Sequence, residues 1–243
     1  MKTTYIIRYI TSLPFILLFF CGTLQAQNDS IISTKTDSIK HKENYGLRLG
    51  GDLGKIIRSF IDDEYKGFEI NADYRLTKKW YVAGEFGVEE KTTVNDYLNA
   101  STKGSYFKAG VDYNAYENWY GMENMFYGGF RVGASTFSQT LNNYGVYSQN
   151  QYWTPQFTSS EGEEFNGLSA IWGEFIIGVK AEVLNNLYVG LNVQFKYMMT
   201  QDQPDNFENL YVPGFHKTYD SGGFGFGYGY SISYLIPFYK KNK

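Results

Sequence analysis

The stretch from Gly222 to Tyr239 limits the fold of this chain more than any other. Phe224, Phe226, Tyr228, Tyr230, Ile232, Tyr234, Ile236 and Phe238 fall on alternate positions. Between them lie Gly223, Gly225, Gly227, Gly229, Ser231 and Ser233, followed by Leu235 and Pro237. A period of two is the side-chain period of a β-strand. Strands of soluble sheets run to about 5–6 residues, whereas a strand tilted across a bilayer needs about 9–11. One face is wholly apolar or aromatic and the other is glycine and serine, which suits hydrocarbon outside and a crowded lumen inside. The expectation is all-β: an eight-stranded antiparallel up-and-down transmembrane β-barrel.

Composition agrees. The chain holds 23 Tyr, 19 Phe and 26 Gly among 243 residues, with 5 Pro. Rings collect at the two membrane interfaces, and glycine lets strands twist and bend. A mean hydropathy of -0.38 argues against a helical membrane protein but not against a barrel, where only alternate residues meet lipid. The net charge of -3 leaves no nucleic-acid footprint.

Residues 1–26 read as a signal peptide. Lys2 and Arg8 give the basic start, Leu13 to Cys21 an apolar run broken by Pro14, and Ala26 a small residue before Gln27. Bulky Phe20 argues against lipidation of Cys21. Cys21 is the sole cysteine and lies in the leader, so the processed chain has no disulfide or thiol chemistry. Residues 27–43 are polar and aperiodic, as in a flexible periplasmic leader. The barrel is expected over 44–243.

Eight segments alternate: about 44–54, 67–76, 80–89, 105–116, 124–137, 169–184, 187–199 and the last. Tyr45, Leu47, Leu49 and Leu53 are expected outward on the first strand. Every apolar face is free of Asp, Glu, Lys and Arg. A lipid-facing Lys or Arg near the midplane would cost about 2–4 kcal/mol. The opposite faces carry both signs. Arg48, Glu69, Asp73, Arg75, Glu85, Lys108, Asp112, Arg131, Glu174, Lys180, Glu182 and Lys196 are the candidate lumen network, with Asp52 and Glu89 also inward. Eight strands leave a lumen barely wide enough for side chains, so such charges must pair or be hydrogen-bonded. Periodicity alone does not say which face is inside, and a soluble eight-strand barrel remains the alternative.

Connections alternate in length. Residues 77–79, 117–123 and 185–186 are short, the last a tight Asn185-Asn186 turn. Residues 55–66, 90–104, 138–168 and 200–221 are longer, which is the barrel pattern of short periplasmic turns and long outer loops. Lys55–Ile61 either extends the first strand or forms a short interfacial helix.

The segments YKGFEI at 65–70, YRLTKK at 74–79, YENW at 116–119, GEEFNGL at 162–168 and ISYLIP at 232–237 resemble an uncharacterised outer-membrane barrel family of the Bacteroidota. The resemblance covers about Asn44 to Lys243 and implies the fold and an outer-membrane location, with no catalytic residues to carry over. The architecture is similar to OmpA- and OmpX-type eight-strand barrels.

The lumen charges read as a structural filling network or as a gated ion path. The glycine row of the last strand reads as room for neighbours such as Gln194 and Lys196, or as a notch for a lipid chain. The long loops carry binding candidates: the aromatic pair Tyr152 and Trp153, the acids Asp202, Asp205 and Glu208, and His216. Their acids match no full calcium loop, so no metal and no cofactor is expected. His216, with Ser221 nearby in sequence, does not define an acyl-transfer site. The expected role is structural or surface-interacting, with a small solute pore as runner-up and a lipid-modifying enzyme third. Expected partners are outer-membrane lipids, lipopolysaccharide among them, and the barrel assembly machinery during biogenesis. A monomer is expected, since a closed barrel has no free edge.

Overall fold

The computed structural model describes residues 42–95, 98–116, 123–145, 158–159, 162–204, 208–217 and 222–242. The expected signal peptide, and the leader as far as His41, lie outside the described residues. Eight long strands run in chain order: β1 Lys42–Asp52, β2 Tyr65–Arg75, β3 Trp80–Asn95, β4 Leu98–Asn114, β5 Met125–Gly145, β6 Glu163–Leu184, β7 Leu187–Gln201 and β8 Phe224–Asn242. Each pairs antiparallel with the next, and β8 returns to pair with β1 from Lys42↔Asn242 to Asp52↔Ser231. The ring is closed.

Alternation explains which side chain goes where. On β6, Trp172, Glu174 and Ile176 are buried while Ile171, Phe175 and Ile177 are exposed. The outward belt is uncharged from Trp80 to Val88 on β3, and Glu90 is the first charge above it. On β4 it runs from Tyr113 to Phe107, with Lys103 above. About nine residues per strand is the span of a bilayer crossing. This apolar belt encircles the ring, whereas exposed patches on soluble monomers seldom exceed a few hundred Å².

Several boundaries differ from expectation. Residues 90–95 and 98–104 belong to strands: β3 and β4 stay paired to Asn95↔Leu98. Likewise β5 and β6 reach Leu141↔Glu163. Above the belt both faces become polar, so the hydrophobic alternation that marks a strand fades while the ladder continues. Tyr45, expected outward, is buried. Tyr45 lies where the β1–β8 ladder skips Phe238, between Tyr45↔Tyr239 and Gly46↔Pro237, and such a bulge bends the strands locally. Its ring stacks on Tyr239 at 5.3 Å and under the Arg75 guanidinium at 4.8 Å.

Leu53, also expected outward on the first strand, instead begins a helix, α1 Leu53–Ile61. The Asp52 carboxylate accepts from the Lys55 backbone N–H at 3.0 Å, the geometry of an N-cap. At the opposite end of the ring the Asn185-Asn186 turn joins β6 to β7, with Asn186 at φ 64°. Asparagine tolerates that left-handed backbone better than most residues.

Candidate functional site

The described lumen contains two charge clusters. In the half near the short turns, Arg48 on β1 donates to Asp73 on β2 at 2.7 Å, and Lys180 on β6 donates to the same carboxylate at 2.6 Å. The Arg48 guanidinium lies 5.0 Å from both the Tyr81 and Tyr188 ring centres. Arg75 donates to the carbonyls of Thr77 and Lys78, locking the β2–β3 turn. Glu182 accepts from the backbone N–H groups of Glu123 and Asn186. Arg75 and Glu182 therefore tie down turns, and ten further candidate lumen residues form ion pairs across the interior.

Higher up, Lys108 on β4 lies 3.0 Å from Glu85, 3.5 Å from Glu174 and 3.9 Å from Glu69. Arg131 pairs with Asp112 at 2.7 Å and approaches Glu85 at 3.7 Å. Lys196 on β7 lies 3.6 Å from Glu174 and donates to the Gly214 carbonyl at 2.6 Å. The Trp172 indole N–H donates to Glu174 at 2.7 Å. The small voids in this lumen hold about 20 and 10 Å³, room for about one water each.

Two segments outside the ladder close the top. The connection between β7 and β8 folds inward, so that Val212 and Phe215 are fully buried. They pack with Tyr106, Phe137, Leu168, Ala170 and Trp172. Phe215 meets Trp172 edge-on at 6.0 Å. Glu89 on β3 anchors this plug, accepting from the Gly214 backbone N–H and the Tyr211 hydroxyl, each at 2.8 Å. Gly214 has φ +80°, and a side chain there would also strike the Tyr106 ring, so glycine is required on both counts.

Beside the plug α1 sends Lys55 inward. Its ammonium lies 2.5 Å from Glu89 and 3.0 Å from Glu69, and it contacts the Tyr106 hydroxyl. Burial disfavours its charge, but Glu89 and Glu69 outweigh that and hold the ammonium above its ordinary pKa. Glu89 thus joins one helix, one plug and, through His216 at 3.7 Å, the end of the plug.

His216 is therefore no free loop residue. It is half-buried at the lumen mouth, its ring stacked near Tyr211 at 6.1 Å. Burial, followed by the Lys196 ammonium, pushes its pKa down to about 4. Asp202 accepts from the Ser169 backbone N–H and hydroxyl at 3.0 and 2.6 Å. Glu208 is exposed, and its carbonyl accepts from Gln139 at 3.0 Å. The structure does not gather Asp202, Glu208 and His216 into one site. Tyr152, Trp153, Asp205 and Ser221 lie outside the described residues.

The inward glycines of β8 follow the packing reading. A Cβ on Gly227 would come within 2.8 Å of Gln194 and 3.1 Å of Lys196, and one on Gly225 within 2.8 Å of Phe215. A separate cleft of about 640 Å³ lies between α1 and β8. Sequence reasoning missed Lys55, Tyr106 and the plug. The plug's one signal was the apolar run Tyr211-Val212-Pro213-Gly214-Phe215 inside a polar connection.

Residues 6–241 match the family described as a domain of unknown function (DUF6048). No curated protein matches the chain. Among solved structures it is similar to the crystal structure of Ail, the attachment invasion locus protein of Yersinia pestis. That similarity has 12% identity and a TM-score of 0.40, and covers 79% of this chain and 97% of that one.

Proposed function

Since the chain belongs to the DUF6048 family, a domain of unknown function, we propose its role from its own geometry: a sealed outer-membrane β-barrel of structural or surface-interaction type. The observation that carries this is the pairing of an uncharged belt outside with an ion-paired, plugged lumen inside. An uncharged belt is stable against hydrocarbon, and a closed ring leaves few backbone groups unsatisfied there. The loops at the plugged end are the surface offered to envelope lipids, including lipopolysaccharide, to glycans or to a partner protein.

The pore reading finds less support. Cations and carboxylates fill the lumen from Arg48 up to Glu89, and two voids among them are the size of single waters. The proposed role is also non-catalytic, with His216 held between Glu89 and Tyr211 as part of the plug. Purified protein in planar bilayers is expected to show no reproducible conductance. Steady conductance that Arg131→Ala or Glu174→Ala abolishes would replace the sealed barrel with a pore.

A further inference from the structure

The wall of the ring has one window. β1 stops at Asp52, opposite Ser231, because Asp52 caps α1 and the chain leaves the sheet there. β8 continues above that point from Tyr230 to Phe224, paired with β7. Facing it, β2 continues above Ile70 to Tyr65, paired with β3. Among the described residues, the β8 edge has no strand partner across this gap, whereas the β2 edge is held by α1: the Ser59 hydroxyl accepts from the Gly67 N–H at 2.8 Å and donates to the Gly67 carbonyl at 3.1 Å. α1 hangs over it and packs against both β2 and β8, yet none of its residues is fully buried. A helix uses its own backbone groups internally, so α1 covers the gap without adding a strand to the β8 edge.

The cleft between α1 and β8 runs through this window. Leu53, Ile57 and Ile61 form one wall, and Leu191, Tyr228 and Tyr230 the other. Lys55, Gly227, Ser231 and His216, which belong to the lumen side, form its floor. Arg58 stands at the rim, 3.2 Å from Asp62 and 4.0 Å over the Tyr65 ring, with its side chain 43% exposed. The volume of about 640 Å³ falls within the ~300–1,000 Å³ of ordinary ligand sites.

We propose that this cleft admits sideways the acyl chain of a lipid from the surrounding leaflet, with the lipid's ester-bearing end toward Lys55 and Arg58. The proposal rests on the membrane reading above. The cleft is continuous with the apolar belt through Leu191, Tyr228 and Tyr230, so lipid chains are the molecules that meet its mouth. An unpaired backbone group left in hydrocarbon costs several kcal/mol, and ester oxygens accept hydrogen bonds that bare hydrocarbon does not. The exposed Arg58 guanidinium supplies a donor of the sign that a lipid phosphate requires.

The test uses the full barrel in phosphatidylethanolamine vesicles doped with phosphatidylcholine that carries a diazirine at the end of one acyl chain. After photolysis, labelled positions are mapped by mass spectrometry. Labelling is expected at the belt residues Phe130 and Phe175 and also at the floor residues Gly227 and Ser231. Ile57→Trp, which fills the cleft from an exposed position, should lower floor labelling several-fold and leave belt labelling unchanged. Ile61→Trp provides a second filling variant, and belt labelling reports that each variant is inserted. A labelled belt with an unlabelled floor overturns the proposal, as does a labelled floor that neither substitution reduces. An unlabelled belt defeats the membrane reading itself.

Discussion

Lys55, carried by a helix outside the ladder, places its ammonium 2.5 Å from the Glu89 carboxylate inside it. Glu89 in turn holds Gly214 and Tyr211 of the plug, which comes from the neighbouring β7–β8 connection. One carboxylate thus couples the segments after β1 and after β7, far apart in the chain. Removing one partner of a buried ion pair costs about 3–5 kcal/mol, because the other charge is left uncompensated. Lys55→Met should destabilise the barrel by that order in urea titrations of the folded fraction. Lys55→Met combined with Glu89→Gln should cost less than the sum of the single changes. Additive costs would contradict the coupling.

The pH dependence of the plug follows from His216. Docked, its pKa is pushed down to about 4, whereas an imidazole in a free loop titrates near about 6.5. Between these values the undocked plug binds a proton that the docked plug does not. Docking is therefore strongest above pH 6.5, weakens as pH falls toward 4, and levels off below that. The slope inside the window is at most about 1.4 kcal/mol per pH unit. Hydrogen exchange of the 209–216 segment should quicken between pH 6.5 and 4 relative to the intrinsic rate, and His216→Gln should flatten the trend. Protection that rises as pH falls would contradict the assignment.

Two glycines of β5 make a paired test of lumen packing. A Cβ on Gly133 would lie 2.3 Å from the Trp172 indole, whereas one on Gly128 meets nothing within 4 Å. Trp172 is fully buried and bonded to Glu174, so it cannot retreat cheaply. Gly133→Ala should cost about 1–3 kcal/mol through overpacking, while Gly128→Ala should leave the urea midpoint unchanged. Equal effects would show that Trp172 is not held where the structure puts it.

The plug and the lower lumen seal independently. Phe215→Ala removes a buried ring from the cluster around Trp172, a change that costs about 3–5 kcal/mol in a core. It should raise hydrogen exchange in the plug yet leave the bilayer non-conducting, because Arg48, Asp73 and Lys180 remain closed below. Conductance in Phe215→Ala would show that the plug is the sole barrier.

Much of the barrel was legible because each belt strand repeats one rule, apolar out and polar in, without a charged exception. Arg131 and Asp112, or Lys180 and Asp73, were readable as inward charges for the same reason, although their pairing was not: it depends on register between strands. The rule failed where the environment stops being two-sided. Beyond Glu90 and Lys103 both faces are polar, and the ladder there is maintained by backbone pairing that alternation does not record. Tyr45 was misplaced beside a bulge at Phe238 of the partner strand, which no side-chain pattern announces. The plug has no period, since it packs as a turn, and Lys55 faces inward only because Asp52 converts a strand into a helix.

The central claim, that the uncharged face meets lipid, is tested most directly by collision accessibility of spin labels. Single cysteines at Val82, Val132 and Val193, in a Cys21→Ser background, place one label on each of three outward faces. In vesicles these labels should collide readily with oxygen and poorly with a water-soluble nickel chelate. Ready collision with the nickel chelate at all three sites would contradict the account and put water where the structure's apolar belt requires hydrocarbon.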